Sequence, residues 1–151
     1  MDTMQWADIN RLRVGDTASC DFVASEGSVE TFAELSRDDN PLHMNEQVAR
    51  SYGFPHRVAH GMLALSAISR LIGTQLPGPG SLWVSQEFKF PAAVLVGDHL
   101  AAQVTVEQVS LAAGIVRLRT EVRNKNSGVI VLSGSAMVKI SRRNNTETRT
   151  A

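Results

Sequence analysis

From Gly61 to Leu76 the chain places Met62, Leu63, Leu65, Ile68, Leu71, Ile72 and Leu76 around most of a helical circumference, with Arg70 as the sole charge, before Pro77-Gly78-Pro79-Gly80 stops the run. A helix apolar on nearly every side has to be buried on most sides, and this one falls short of the ~20 apolar residues that span a bilayer. The rest of the chain must therefore supply its cover. Ser81 to Phe90 and then Val94-Leu95-Val96-Gly97-Asp98 read as strands. Leu100, Ala102, Val104 and Val106 alternate with Ala101, Gln103, Thr105 and Glu107, and Val116, Leu118, Thr120 and Val122 alternate with Arg117, Arg119, Glu121 and Arg123. That period of two marks antiparallel strands with one buried face. After the loop Asn124-Lys125-Asn126-Ser127-Gly128, Val129 to Ile140 closes the sheet. The expectation is an α+β fold in which about five antiparallel strands curl around one long helix.

Ahead of that helix, Gly15-Asp16 forms a turn, Thr17 to Val23 reads as a strand, and Ser25-Glu26-Gly27 as a break. Ser28 can cap a helix with Val29, Phe32, Ala33 and Leu35 on its apolar face. It must stop by Asp39, because Pro41 pushes Asn40 out of the α region and makes Asp38-Asp39-Asn40-Pro41 a turn. Asn45 can cap a second short helix, Glu46 to Tyr52, stopped by Gly53. At 43% hydrophobic and 20% charged over 151 residues, the composition suits one globular domain that buries about 70% of its unfolded surface. That domain is expected over residues 1–140, with 141–151 a polar tail expected to be disordered.

The 15 basic residues cancel the 15 acidic ones, which removes the basic footprint of a nucleic-acid binder. The single cysteine, Cys20, has no intramolecular disulfide partner and reads as a small core residue in a strand. With no basic and apolar leader at the N-terminus, the expected location is cytoplasmic, without a membrane.

Residues of catalytic type concentrate between Ser36 and Gly61: Asp38, Asp39, Asn40, His43, Asn45, His56 and His60. On one helix, Asp38 and His43 would point about 140° apart, and Pro41 forbids that helix, so only a loop lets them converge. Converged, a carboxylate and an imidazole can share one water and take its proton as it attacks. The competing reading has Asp38 or Asp39 merely capping the turn, with His43 packed against it. His56 and His60 are four apart, but no Glu completes an H-E-x-x-H arrangement and no Cys joins them, and Asp38-Asp39-Asn40 lacks the alternating ligands and glycine of a calcium loop. Neither a glycine-rich phosphate loop nor a Gly-x-Ser-x-Gly elbow occurs. No metal and no cofactor is expected. Gly61 opens the buried helix, where the first backbone N–H groups are unpaired and lie at the positive end of the dipole. A glycine there lets a ligand carbonyl reach its N–H, or else lets the helix start pack closely against a strand.

The string Phe32-Ala33-Glu34-Leu35-Ser36-Arg37-Asp38-Asp39-Asn40-Pro41-Leu42-His43 resembles the signature of the MaoC-like hydratase/dehydratase family, in particular the (R)-specific enoyl-CoA hydratases. The resemblance continues in family order through Val58-Ala59-His60-Gly61-Met62-Leu63, Leu76-Pro77-Gly78-Pro79-Gly80-Ser81, Phe88-Lys89-Phe90-Pro91 and Val96-Gly97-Asp98, covering roughly residues 10–140. Arg37 stands where many members carry glycine, which bears on the local turn. The resemblance implies a single hot-dog fold paired as a homodimer. It also implies that Asp38 and His43 are the catalytic pair, that the Gly61 N–H donates to a thioester carbonyl, and that Asn40 and Pro41 shape the loop between the pair.

The implied reaction is reversible syn addition of water across a trans-2-enoyl-CoA to give the (R)-3-hydroxyacyl-CoA. The alternatives are a 3-hydroxyacyl-carrier-protein dehydratase, a hot-dog acyl-CoA thioesterase that sends water to C1, and a non-catalytic acyl-thioester binding subunit. Coenzyme A and acyl carrier protein are both anionic, so a neutral chain needs local cations to hold either. Arg57, Arg70, Lys89 and the Arg117-Arg119-Arg123 face are the candidates.

Overall fold

A computed structural model describes residues 6–141; of the tail expected at 141–151, residues 142–151 lie outside the described residues. The elements run β1 (Thr17–Val23), α1 (Glu26–Ser36), α2 (Pro41–Met44), α3 (Glu46–Ser51), α4 (Gly61–Thr74), β2 (Ser81–Lys89), β3 (His99–Ser110), β4 (Ile115–Asn124) and β5 (Ile130–Ile140), after a 3-10 turn at Ile9–Arg11. The strands form one antiparallel sheet in the order β1-β3-β4-β5-β2. It curls around α4, the hot-dog architecture that the resemblance implies.

Alternation explains the register. Leu100, Ala102, Val104 and Val106 of β3, Val116, Leu118 and Val122 of β4, and Leu132, Ala136 and Val138 of β5 are buried in one core with Ile68, Leu71 and Ile72 of α4. The Arg117, Arg119 and Arg123 side chains alternate with them and are exposed on the outer face. Gly134 lies opposite Phe88 where β5 meets the edge strand, and a Cβ there would run into the Glu87 carbonyl.

Five expectations need correction. Ser25, not Ser28, caps α1: its hydroxyl accepts the Ser28 N–H, and the supposed break Glu26-Gly27 is the first turn of the helix. A glycine in a first turn costs at most about 1 kcal/mol, an amount that a serine cap of about 0.5–2 kcal/mol can offset. The turn at Asp38 to Pro41 runs into an unforeseen helical turn, α2, because Asn40 accepts the Leu42 N–H and Pro41 sits preset at its first position.

Val94 to Asp98 is not a strand of the sheet. Its backbone is spent on the segment before α4, with Ala59 N–H donating to Val94 O and Val96 N–H to Arg57 O, and on the Asp98 carboxylate, which accepts the Leu95 N–H. α4 ends at Thr74, and it is buried on one broad face rather than on most sides: Met62 is 46% exposed, and Ser66, Ser69 and Gly73 continue its open stripe. Cys20 is half-buried and packs against the core from its edge. No helix among the described residues is long and apolar enough to cross a membrane.

Candidate active site

The segment from Ser36 to Gly61 is assembled by individual hydrogen bonds rather than by apolar burial. α1 stops on Arg37, which takes the left-handed conformation with φ 61° and turns the chain back. Asp38 follows, its N–H donating to the Ser36 hydroxyl at 3.2 Å while that hydroxyl donates to Phe32 O. Asn40 then caps α2, which carries His43. Asn45 accepts the Gln47 and Val48 N–H groups and starts α3.

The structure brings Asp38 and His43 together from opposite ends of this turn. The Nδ1 of His43 lies 2.7 Å from the Val58 carbonyl. A carbonyl only accepts, so Nδ1 carries the hydrogen and, in the neutral ring, Nε2 keeps a lone pair. That Nε2 faces Asp38 Oδ2 at 3.9 Å, too long for a direct hydrogen bond and within reach of one shared water. The His43 side chain is 14% exposed and that of Asp38 53%, so the pair lies at the mouth of the site with the imidazole inside. Asp38 also caps its turn, since Oδ1 accepts the Asn40 N–H at 3.4 Å. Asp38 thus spends one oxygen on its turn and turns the other toward His43. Asp39 is exposed and Asn40 is used in the cap.

Gly61 fits its close-packing reading. It is the first residue of α4, and a Cβ there would stand 2.8 Å from the Phe90 ring. Glycine is what lets Phe90 lie over the helix start. His60, just before it, is 2% exposed, lies 2.9 Å through Nε2 from the Asp38 carbonyl, and stacks on His43 with ring centroids 3.9 Å apart. One residue thus joins the start of α4 to both members of the pair. In the sequence His60 stands among the residues of catalytic type and as half of a possible metal pair with His56, with no role of its own. Nothing in its spacing signals a contact to a carbonyl 22 positions away.

His56 goes elsewhere. Its ring meets the Glu46 carboxylate at 3.1 Å, beside Arg50 and the Arg57 N–H. Partial burial opposes the charge of Glu46, but these three donors outweigh it and hold the carboxyl below its ordinary value. Asp38, His43 and His60 are the described residues whose ligand-type atoms lie close, within 4.8 Å of one another, and are where a metal could be held. Burial pushes the Cys20 thiol up, away from nucleophilic use.

Of the candidate cations, Arg57 is nearly buried and paired with Glu26 at 3.2 Å, and Arg123 is paired with Glu121. Arg70 lies exposed on α4, Lys89 at the end of β2, and Arg117 and Arg119 on the outer sheet face.

The family model described as MaoC like domain matches residues 8–127. An (R)-specific enoyl-CoA hydratase of Rhodospirillum rubrum is 40% identical over 129 residues, covering 85% of this chain and 88% of that protein. A 3-hydroxybutyryl-CoA dehydratase of Methylorubrum extorquens is 37% identical, covering 85% of this chain and 81% of that one. Among solved structures, the (R)-hydratase of A. caviae involved in PHA biosynthesis superposes with a TM-score of 0.83 at 36% identity, covering 87% of this chain and 98% of that one.

Proposed function

This chain belongs to the MaoC-like hydratase/dehydratase family and is a hydro-lyase of the (R)-hydratase/dehydratase type, and on that premise we propose that it adds water reversibly across trans-2-enoyl-CoA to give (R)-3-hydroxyacyl-CoA. The observation that carries the proposal is the 3.9 Å gap between Asp38 Oδ2 and His43 Nε2, with the far nitrogen of His43 already spent on Val58. A water held there has a carboxylate and an imidazole lone pair to take its proton as it attacks Cβ. The same pair returns a proton to Cα on the same face, which makes the addition syn. Positioned acid–base groups of this kind contribute on the order of 10²–10⁴-fold. The Gly61 N–H, at the positive end of α4, polarises the thioester carbonyl and stabilises the developing enolate; one such donor is worth about 3–4 kcal/mol. Asn40 and Pro41 serve by setting the turn that presents His43. The reaction as drawn uses no metal and no cofactor beyond the coenzyme A of the substrate.

The working unit in this proposal is a homodimer. β2 lies at the sheet edge with Leu82 62%, Val84 54% and Phe88 37% exposed, and an apolar edge strand of that kind is suited to pairing. A second copy of the same strand would satisfy it, and sedimentation at assay concentration should give twice the monomer mass.

Crotonyl-CoA tests the reaction directly. Loss of enoyl absorbance without release of free thiol supports hydration, whereas thiol release would establish the thioesterase alternative. Carrier-protein thioesters run beside it separate the dehydratase alternative, and binding without turnover would leave only a binding subunit.

A further inference from the structure

We propose that His60 is a positioning residue for this reaction, holding the backbone of Asp38 and the ring of His43 in register with the start of α4. The inference rests on the hydratase reading of the site. His60 occupies the N-cap position of α4, yet its side chain makes no capping hydrogen bond. It reaches instead to the Asp38 carbonyl at 2.9 Å, so Nε2 carries its hydrogen. Its ring lies against His43, with centroids 3.9 Å apart and planes at 35°, and Phe32 packs against it at 4.9 Å.

The Asp38 backbone is thus held at both ends, its N–H by Ser36 and its carbonyl by His60. Without the second hold, an exposed loop residue would have only a turn to keep its carboxylate facing His43.

The cost of this arrangement shows on the other side of the ring. Nδ1 of His60 is buried and has no hydrogen-bond partner among the described residues. Phenylalanine would fill the same space without that penalty, so packing alone does not account for a histidine here. The nitrogen in use is Nε2, and what it grips is the residue that faces the water. A displacement of about 1 Å in such a group costs on the order of 10²-fold in rate.

Three variants and one spectrum test this. His60→Phe keeps the ring contacts and loses the donor; we expect kcat for crotonyl-CoA hydration to fall on the order of 10²-fold, with KM little changed because Gly61 is untouched. His60→Gln sets an amide N–H near the Nε2 position and should recover most of the loss. His60→Asn, too short to reach Asp38, should not. In the unaltered protein, nitrogen NMR should show His60 protonated at Nε2 and bare at Nδ1. Wild-type kcat in His60→Phe, equal rates for Gln and Asn, or a hydrogen on Nδ1 would each overturn the inference. Should His60→Phe fail to fold, the Gln and Asn pair and the spectrum still decide it. No turnover by the unaltered protein would fell the hydratase reading itself, whereas turnover that is indifferent to His60 fells this inference alone.

Discussion

Along β3, β4 and β5 a residue's place follows from its parity: Val104 and Val106 point inward, Gln103 and Glu107 outward, and the buried set closes on Ile68 and Leu71 of α4. Between Ser36 and Gly61 no such rule operates. His43 is placed by a bond to Val58, Asp38 by bonds to Ser36 and His60, and α2 by one asparagine cap. The first region is held by area removed from water, which is non-directional and tolerant of the particular side chain. The second is held by single directional contacts, each worth only about 1 kcal/mol, on residues that range from exposed Asp38 to buried His60. On the proposed mechanism one region supplies stability and the other chemistry, so substitutions should separate cleanly.

The largest expected effect is chemical. Asp38→Asn or His43→Ala should lower crotonyl-CoA hydration by about 10²–10⁴-fold while the protein stays folded. Near-normal turnover in both would remove the pair from the mechanism, and unfolding would show that the segment is structural after all. Next comes the core. Leu71 is fully buried, and Leu71→Ala should cost about 2–5 kcal/mol in denaturant unfolding; a loss below that range would mean that α4 is less tightly enclosed than its burial implies.

The boundary between the regions offers a gain. Arg37 holds φ 61° at the end of α1, a conformation that costs a side chain about 1–2 kcal/mol. Arg37→Gly should raise stability by roughly 1 kcal/mol in the same assay, and a destabilised variant would contradict the strain.

The smallest effect is on pH. The Glu46 carboxyl lies below its ordinary 4.5 in the folded protein, so the folded state binds that proton less readily than the unfolded chain. Its contribution is complete above that value and is lost as the pH falls through the lowered folded one. Glu46→Gln should flatten the acid arm of the stability curve, and an acid arm that does not move would show that the contacts to His56, Arg50 and Arg57 carry no net stabilisation.

Much of this was open to inspection in the residues themselves. Strand β1 lies where the turn signals put it, the alternating strands keep their predicted faces, and α4 starts at Gly61. The block from Ser36 to His43 carried the family resemblance, and the family match bears it out. Asn45 could be read as a cap because capping needs only neighbours within three positions. α2 was missed because one turn of helix has no periodicity to detect. Val94 to Asp98 was misread because its apolar run suits a strand, while its actual partner is the segment at 57–59.

Sequence alone determined the sheet and the helix it encloses, since periodicity, proline and glycine act over a few residues and need no knowledge of the chain path; the candidate pair came from the family resemblance that the block from Ser36 to His43 carries. Only the tertiary structure decided that His43 spends Nδ1 on Val58, that His60 reaches Asp38 while His56 turns to Glu46, and that one stripe of α4 stays open. Those outcomes depend on which distant carbonyl or carboxylate the folded chain brings within about 3 Å of a ring nitrogen, and residue spacing carries no record of that.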